Sequence, residues 1–256
     1  MSESPTDHRE MTLLAKLSAP EASAPPWSLS SALLTVAVIF ICLIIIGPAL
    51  ASILLGSETI SPSLLTLSWN LGMALTIIFV IVNRRSSHDS WRALSLGKGD
   101  LPSPIALLIG IAIALAIDLV VSLAGGAFLP IPELIGIYQA GTGDLIAAAL
   151  LLVILQPVAE TLVFQAVLLP SLRWHLGARA GVLTTSLLFT SLHLVVFSGA
   201  NRTIYMNPWY DIAYPFLAGL AFCYLRTYSA SSGAVFIARM GAGLIFLLTA
   251  LVLTSR

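Results

Sequence analysis

Glu160, His193 and Arg239 each interrupt a long apolar run of this 256-residue chain. A carboxylate beside an imidazole can activate a water as general base, and a guanidinium can stabilise the oxyanion that forms when that water attacks a carbonyl. The same three groups also read as a buried ion pair with an imidazole next to it, a structural device that ties helices together. Asp118 is a further ionisable group inside an apolar run, and taken alone it reads as a buried polar group. Arg239 keeps its proton and therefore needs an anion or several carbonyls nearby. Glu160 is its first candidate partner and Asp118 its second.

The setting of these groups is a chain that is 58% hydrophobic and 9% charged, with a mean hydropathy of +0.98. Soluble domains carry roughly 25% charged residues, so the expected fold class is all-α, a polytopic transmembrane helical bundle. Apolar runs of about 20 residues are needed to cross a hydrocarbon core. They occur at 29–55, 62–82, 104–124, 144–169, 181–198, 209–225 and 232–253. Pro157 interrupts the fourth run, and "LLPSLRWHLGARAG" after it allows an eighth, half-inserted element along the interface.

Residues 1–26 are polar and rich in Ser, Pro and Ala, and are expected to be a disordered cytoplasmic tail in which "MTLLAKL" offers a short interfacial helix. Residues 27–256 form the transmembrane domain, and no cleavable signal is expected. With the N-terminus inside, Arg9, Lys16, Arg84, Arg85, Arg92, Lys98, Arg173, Arg179 and Arg226 fall on the cytoplasmic side, against Arg202 and Arg256 outside. That is a positive-inside pattern, expected of a multi-pass protein of the inner or plasma membrane. Trp27, Trp209, Tyr205 and Tyr210 lie near span ends, as interfacial anchors do. The net charge of zero gives no reason to expect nucleic acid as a partner. Cys42 and Cys223 lie inside apolar runs and read as packing residues.

Depth brings the ionisable groups to a common level. At 1.5 Å per residue, Glu160 lies about 14 Å, His193 about 18 Å and Arg239 about 10 Å from the cytoplasmic ends of their spans, with Asp118 somewhat deeper. Pro157 has no N–H and frees the carbonyl of Val153, so an irregularity is expected one turn before Glu160. Gln156 and Phe164 share the face of Glu160, and Thr161 and Gln165 form the adjacent polar strip. Such a face is costly in lipid, so it is expected to point at the helices bearing His193 and Arg239.

The stretch "ETLVFQAVLLPSLRW" (160–174), the stretch "FTSLH" (189–193) and the approach "GLAFCYLRTYSASSGAVFIARMGAG" (219–243) resemble, in order and spacing, the three motifs of the CAAX prenyl protease and bacteriocin-processing (Abi) family of intramembrane endopeptidases. The resemblance covers roughly residues 144–250. It implies that Glu160 and His193 are the catalytic, water-activating pair, with Gln156, Thr161, Phe164, Gln165, Phe189, Asp118 and Gly243 lining the site. It also exposes departures. Thr161 stands where the family has a second glutamate, and Gln165 where it has an arginine. Arg239 and Gly243 stand where it has a histidine and an asparagine or aspartate that support the oxyanion. Losing one oxyanion donor typically raises a barrier by about 2.7–4 kcal/mol, and Arg239 is the group on hand to replace it.

No cofactor is expected. Catalytic zinc usually takes three protein ligands, whereas only Glu160 and His193 suit, beside a fixed cation, so no metal is expected either. Three functions follow from these residues. One is a CAAX-type peptidase cutting a peptide that arrives from the cytoplasmic side. Another is a catalytically dead descendant, with a scaffold or immunity role, in which Arg239 closes the old site as an ion pair and the cavity binds a membrane peptide or partner. The last is a small transporter using Asp118, Glu160 and His193 as a relay. The expected partners are the lipid bilayer and a membrane-embedded or lipidated peptide or protein.

Overall fold

Backbone in lipid has no water to bond, so an apolar chain must satisfy its N–H and C=O groups within helices. The computed structural model describes residues 18–19, 21, 23–56, 61–97, 99, 101–125, 142–197 and 208–254, and every regular element among them is helical. Helix α1 runs as Leu29–Ile41, a π-helical turn Cys42–Ile46, and Gly47–Leu55. It starts where the Ser28 side chain accepts from the Ser31 N–H. Helix α2 is Pro62–Arg85, capped in the same manner by Ser61. The short α3, His88–Ala93, leads to α4, Ser103–Gly125.

Helix α5 is continuous but changes its winding: Thr142–Leu150, π-helical Leu151–Leu155, Gln156–Glu160, π-helical Thr161–Leu168, and Leu169–Leu176. Helix α6 is Ala178–Val196, and α7 joins π-helical Trp209–Ala213 to Tyr214–Ser229. Helix α8 is Ser232–Thr254.

Among the described residues, six helices are long and apolar enough to cross a membrane: Leu29–Leu55, Ser63–Arg85, Ser103–Gly125, Leu145–Leu176, Ala178–Val196 and Ser232–Thr249. The protein is therefore an integral, multi-pass membrane protein. The expected span at 209–225 is present as α7 but is not among the six, because Asp211, Arg226 and a set of tyrosines dilute its apolar residues. The stretch after Pro157 is not a separate half-inserted element. Leu169–Leu176 simply continues α5, and Gly177, at φ 84°, ends it.

Among the described residues, a proline follows every π-helical segment. Pro48, Pro157, Pro170 and Pro215 each occupy the first turn of the α-helical piece that comes next. A proline ring crowds the carbonyl four residues back and offers no N–H. Widening the preceding turn relieves that crowding without breaking the helix. The irregularity expected one turn before Glu160 takes this form.

Helix α5 is the central rod, with Ala159 through Arg173 all buried. Helix α8 lies along α4 so closely that a Cβ on Gly110 would overlap the backbone of Ala238. Apolar side chains cover the outward faces, among them Ile53 and Leu123, each 76% exposed, as befits a lipid-facing surface.

One end of the bundle is knitted shut. Trp27 Nε1 donates to Ser171 Oγ at 2.8 Å and to the Val167 carbonyl at 3.2 Å, and the Arg84 guanidinium stands 4.7 Å over its ring. Arg173 donates to Thr227 Oγ1 at 2.6 Å and to the Ala19 carbonyl at 2.7 Å, and pairs with Glu21 at 3.1 Å. Trp27 is therefore not a lipid-facing anchor but a buried plug, because α5 satisfies its N–H. Tyr210 is also buried, with its hydroxyl 2.8 Å from Ser122 Oγ. Both cysteines are free and buried, as their apolar runs led us to expect. Tyr205, Arg202, Arg256 and the "MTLLAKL" segment lie outside the described residues.

Candidate functional site

Glu160 ends the short α-helical piece between the two π-helical segments of α5, and points at α6 and α8. Its carboxylate is 1% exposed as a residue and is bonded on both oxygens. Oε2 accepts from Arg239 Nη1 at 2.5 Å, and Oε1 accepts from Gln156 Nε2 at 2.9 Å, one turn back on the same helix. A charge in lipid depth is costly unless paired, and Glu160 and Arg239 cancel each other.

Aromatic rings hold the guanidinium. Arg239 Cζ lies 4.4 Å from the centre of the Phe222 ring and 4.7 Å from that of Phe189, both within cation–π range. Gln165 braces the pair from behind. With its amide turned to satisfy its neighbours, the nitrogen donates to the Glu160 backbone carbonyl at 3.1 Å and the oxygen accepts from Arg239 Nη2 at 3.2 Å.

His193 completes the cluster. Its Nδ1 lies 3.1 Å from the Phe189 carbonyl oxygen, which can only accept, so Nδ1 carries the hydrogen. Nε2 then faces Glu160 Oε1 at 3.5 Å. Such an arrangement can polarise a water placed between the two, or share one proton. The imidazole also packs between the rings of Phe189, at 4.3 Å, and Phe197, at 5.1 Å.

Glu160, His193 and Arg239 face one cavity of about 750 Å³, measured with its open mouth. Gln156, Phe189 and Gly243 also line it, so these expected site residues come together. Others serve differently. Phe164 is fully buried behind the site, edge-on to Phe189 at 5.3 Å. Thr161 and Gln165 are buried in the wall and do not line the cavity. Asp118 does not line it either; it bonds the Tyr210 side chain, whose ring does line it.

Residues that the sequence reading missed form much of α7's contribution. Tyr210, Tyr214, Ala218 and Phe222 recur every fourth position and all line the cavity, joined by the buried Asp211. That spacing was the available signal for one helix face, obscured because a tyrosine near a span end also suits an interface.

Gly243 stands where the structure leaves no room for a side chain. A Cβ there would overlap the carbonyl oxygen of Leu152, in the π-helical turn of α5. The backbone of α5 thus fills the space that a longer side chain at 243 would need. Chemically, the site offers a carboxylate and an imidazole suited to a water, but that water would compete with two fixed donors for the carboxylate oxygens. Among the described residues, no group of three or more His, Cys, Asp or Glu side chains converges. The donors here, Glu160 and His193 beside a guanidinium, do not make the usual three-ligand zinc set.

Residues 142–245 match the family model described as type II CAAX prenyl endopeptidase Rce1-like. No curated protein and no solved structure matched the chain. The segment that builds the site, α5 through most of α8, is therefore similar to the Rce1-like, CAAX-protease family, over nearly the stretch that the three motifs marked out.

Proposed function

We propose that this protein is a CAAX-type endopeptidase-like membrane protein whose water-activating centre is closed by its own arginine, and that it works by binding a membrane-embedded or lipidated peptide. The contact of Arg239 Nη1 with Glu160 Oε2 at 2.5 Å carries this reading. A base that must take a proton from water is here held by a guanidinium and an amide. Gly243 supports it, since the position of the lost asparagine is taken up by α5 backbone. What remains is a largely apolar cavity with a few convergent polar groups, a common form of ligand site.

A specific observation favours a second reading, residual hydrolysis. Glu160, His193 and Arg239 all face the same cavity, so Arg239 is placed to act as oxyanion donor for water attack on a peptide carbonyl. A proton relay has less support, because Asp118 stands outside the cavity lining. The positive-inside pattern supports an N-terminus in the cytoplasm and residence in an inner or plasma membrane.

Purified protein offered a prenylated, membrane-anchored fluorogenic peptide separates the two readings. Binding is expected, with no cleavage above the background that Glu160→Gln gives. Cleavage lost on both Glu160→Gln and His193→Ala would establish the hydrolase instead.

A further inference from the structure

We propose that Arg173 and Arg226 form a binding site for a phosphate-bearing anion, an anionic phospholipid headgroup, and that the Glu21 carboxylate now occupies it as an internal stand-in. The site is separate from the Glu160 cavity and does not depend on the peptide-binding function.

Arg173 lies in the last turn of α5 and Arg226 in the last turn of α7. Both helices pack against α6, which brings the two guanidiniums to the same end of the bundle. They are near enough for charge to act between all three groups: Arg226 is repelled by Arg173 and attracted by Glu21. Arg173 is only 5% exposed. Its Nη1 donates to Thr227 Oγ1 at 2.6 Å and its Nη2 to the Ala19 carbonyl at 2.7 Å. Thr227 directly follows Arg226, so the first of these bonds holds Arg173 against the turn of α7 that carries the second cation.

The carboxylate serves the two cations poorly. Glu21 Oε2 lies 3.1 Å from Arg173 Nε, yet that N–H is misdirected and makes no hydrogen bond. Arg226 donates from Nε to Ser232 Oγ at 3.0 Å, and its terminal nitrogens have no hydrogen-bond partner among the described residues. Two fixed positive charges thus share one negative charge, and nitrogens of both guanidiniums are left without an acceptor. Like charges held together in a partly buried place are costly until an anion balances them.

A phosphate fits this deficit better than a carboxylate does. It offers more oxygens, and guanidinium forks bind it bidentately. Basic pockets between transmembrane helices are a recurrent way of holding phosphorylated lipid headgroups. The level suits a headgroup too. Exposed Trp174 follows Arg173, and exposed Tyr224 and Tyr228 flank Arg226, residue types that settle at the membrane interface. Among the described residues, Arg84, Arg85, Arg92, Arg173, Arg179 and Arg226 lie at this end against two acids, Glu21 and Asp89, so the local field draws an anion in. Glu21 is displaceable, since it precedes α1 and its side chain is 29% exposed.

Native mass spectrometry of the full chain in a neutral detergent tests the site, with dioleoyl phosphatidylglycerol as the probe and net-neutral dioleoyl phosphatidylcholine as the control. Glu21→Gln removes the internal anion and should raise the affinity for phosphatidylglycerol about fivefold, the worth of one charge at a lipid surface, while leaving phosphatidylcholine unchanged. Adding Arg226→Gln should cancel that gain. Adding Arg92→Gln, which removes an exposed charge from the same end, should not. Where the Arg226→Gln protein is not monodisperse, Arg226→Lys takes its place, keeping the charge without the fork, and should cancel part of the gain. A merely structural ion pair predicts no gain on Glu21→Gln. That result, a gain shared by phosphatidylcholine, or a gain that survives the Arg226 change overturns the proposal. Displacement of the bound lipid by an equal concentration of inorganic phosphate would keep the anion site and overturn the headgroup as its ligand.

Discussion

Arg239 and Glu160 stand 79 positions apart and meet head to head, Nη1 to Oε2, at 2.5 Å. The contact joins α8 to the central rod α5, and it occupies the carboxylate that the family motif would use on water. Removing either partner strands a charge in a setting where water does not reach easily. Under the proposed function the pair is a structural clamp and a chemical block at once, and each role has separate consequences.

The aromatic faces around the guanidinium should be coupled to its charge. Phe222→Leu is expected to lower stability, and about 0.5–2 kcal/mol of the loss is the cation–π share. That share should vanish in an Arg239→Met background. Unfolding midpoints of the four proteins in one detergent measure it; equal losses in both backgrounds would mean that the ring acts by packing alone.

Gly243 should tolerate no side chain. Gly243→Ala drives a methyl into the Leu152 carbonyl, and overpacking of this kind costs about 1–3 kcal/mol. For the same reason Arg239→His with Gly243→Asn, which restores the family residues, should give no peptidase activity. A stable double variant that cleaves peptide would show that α8 can move away from α5 and that the block is only local.

Trp27 should behave as an interior residue. Trp27→Phe removes a donor shared by Val167 and Ser171, at a cost of about 0.5–1.5 kcal/mol. Trp209→Phe, at a site 43% exposed, should cost less. Thermal unfolding of the two variants compares them, and a smaller loss at Trp27 would contradict its role as plug.

Much of this arrangement was legible in the residues themselves. The spans were readable because lipid demands long, unbroken apolar helices: a helix lies on each of the seven expected runs, although only six are long and apolar enough to cross a membrane. Glu160, His193 and Arg239 were readable because isolated charges in apolar runs must find each other, and counting 1.5 Å per residue put them at one level. Residues near span ends were harder. Trp27, Arg84 and Tyr210 are types that suit an interface equally well, and only the packing of α1, α2 and α5 draws the first two inside. Asp118 shared the depth of the cluster, but depth says nothing about azimuth, and its side chain meets Tyr210 rather than Arg239.

The clamp itself is tested most directly by a double-mutant cycle on Glu160→Met and Arg239→Met, read as unfolding free energy in one detergent. Each single change should cost about 3–5 kcal/mol, and the double change much less than their sum, because breaking a buried pair is worse than replacing it. Costs that add to within about 0.5 kcal/mol would show that the two heads do not hold each other, and the account of a site closed by its own arginine would fall.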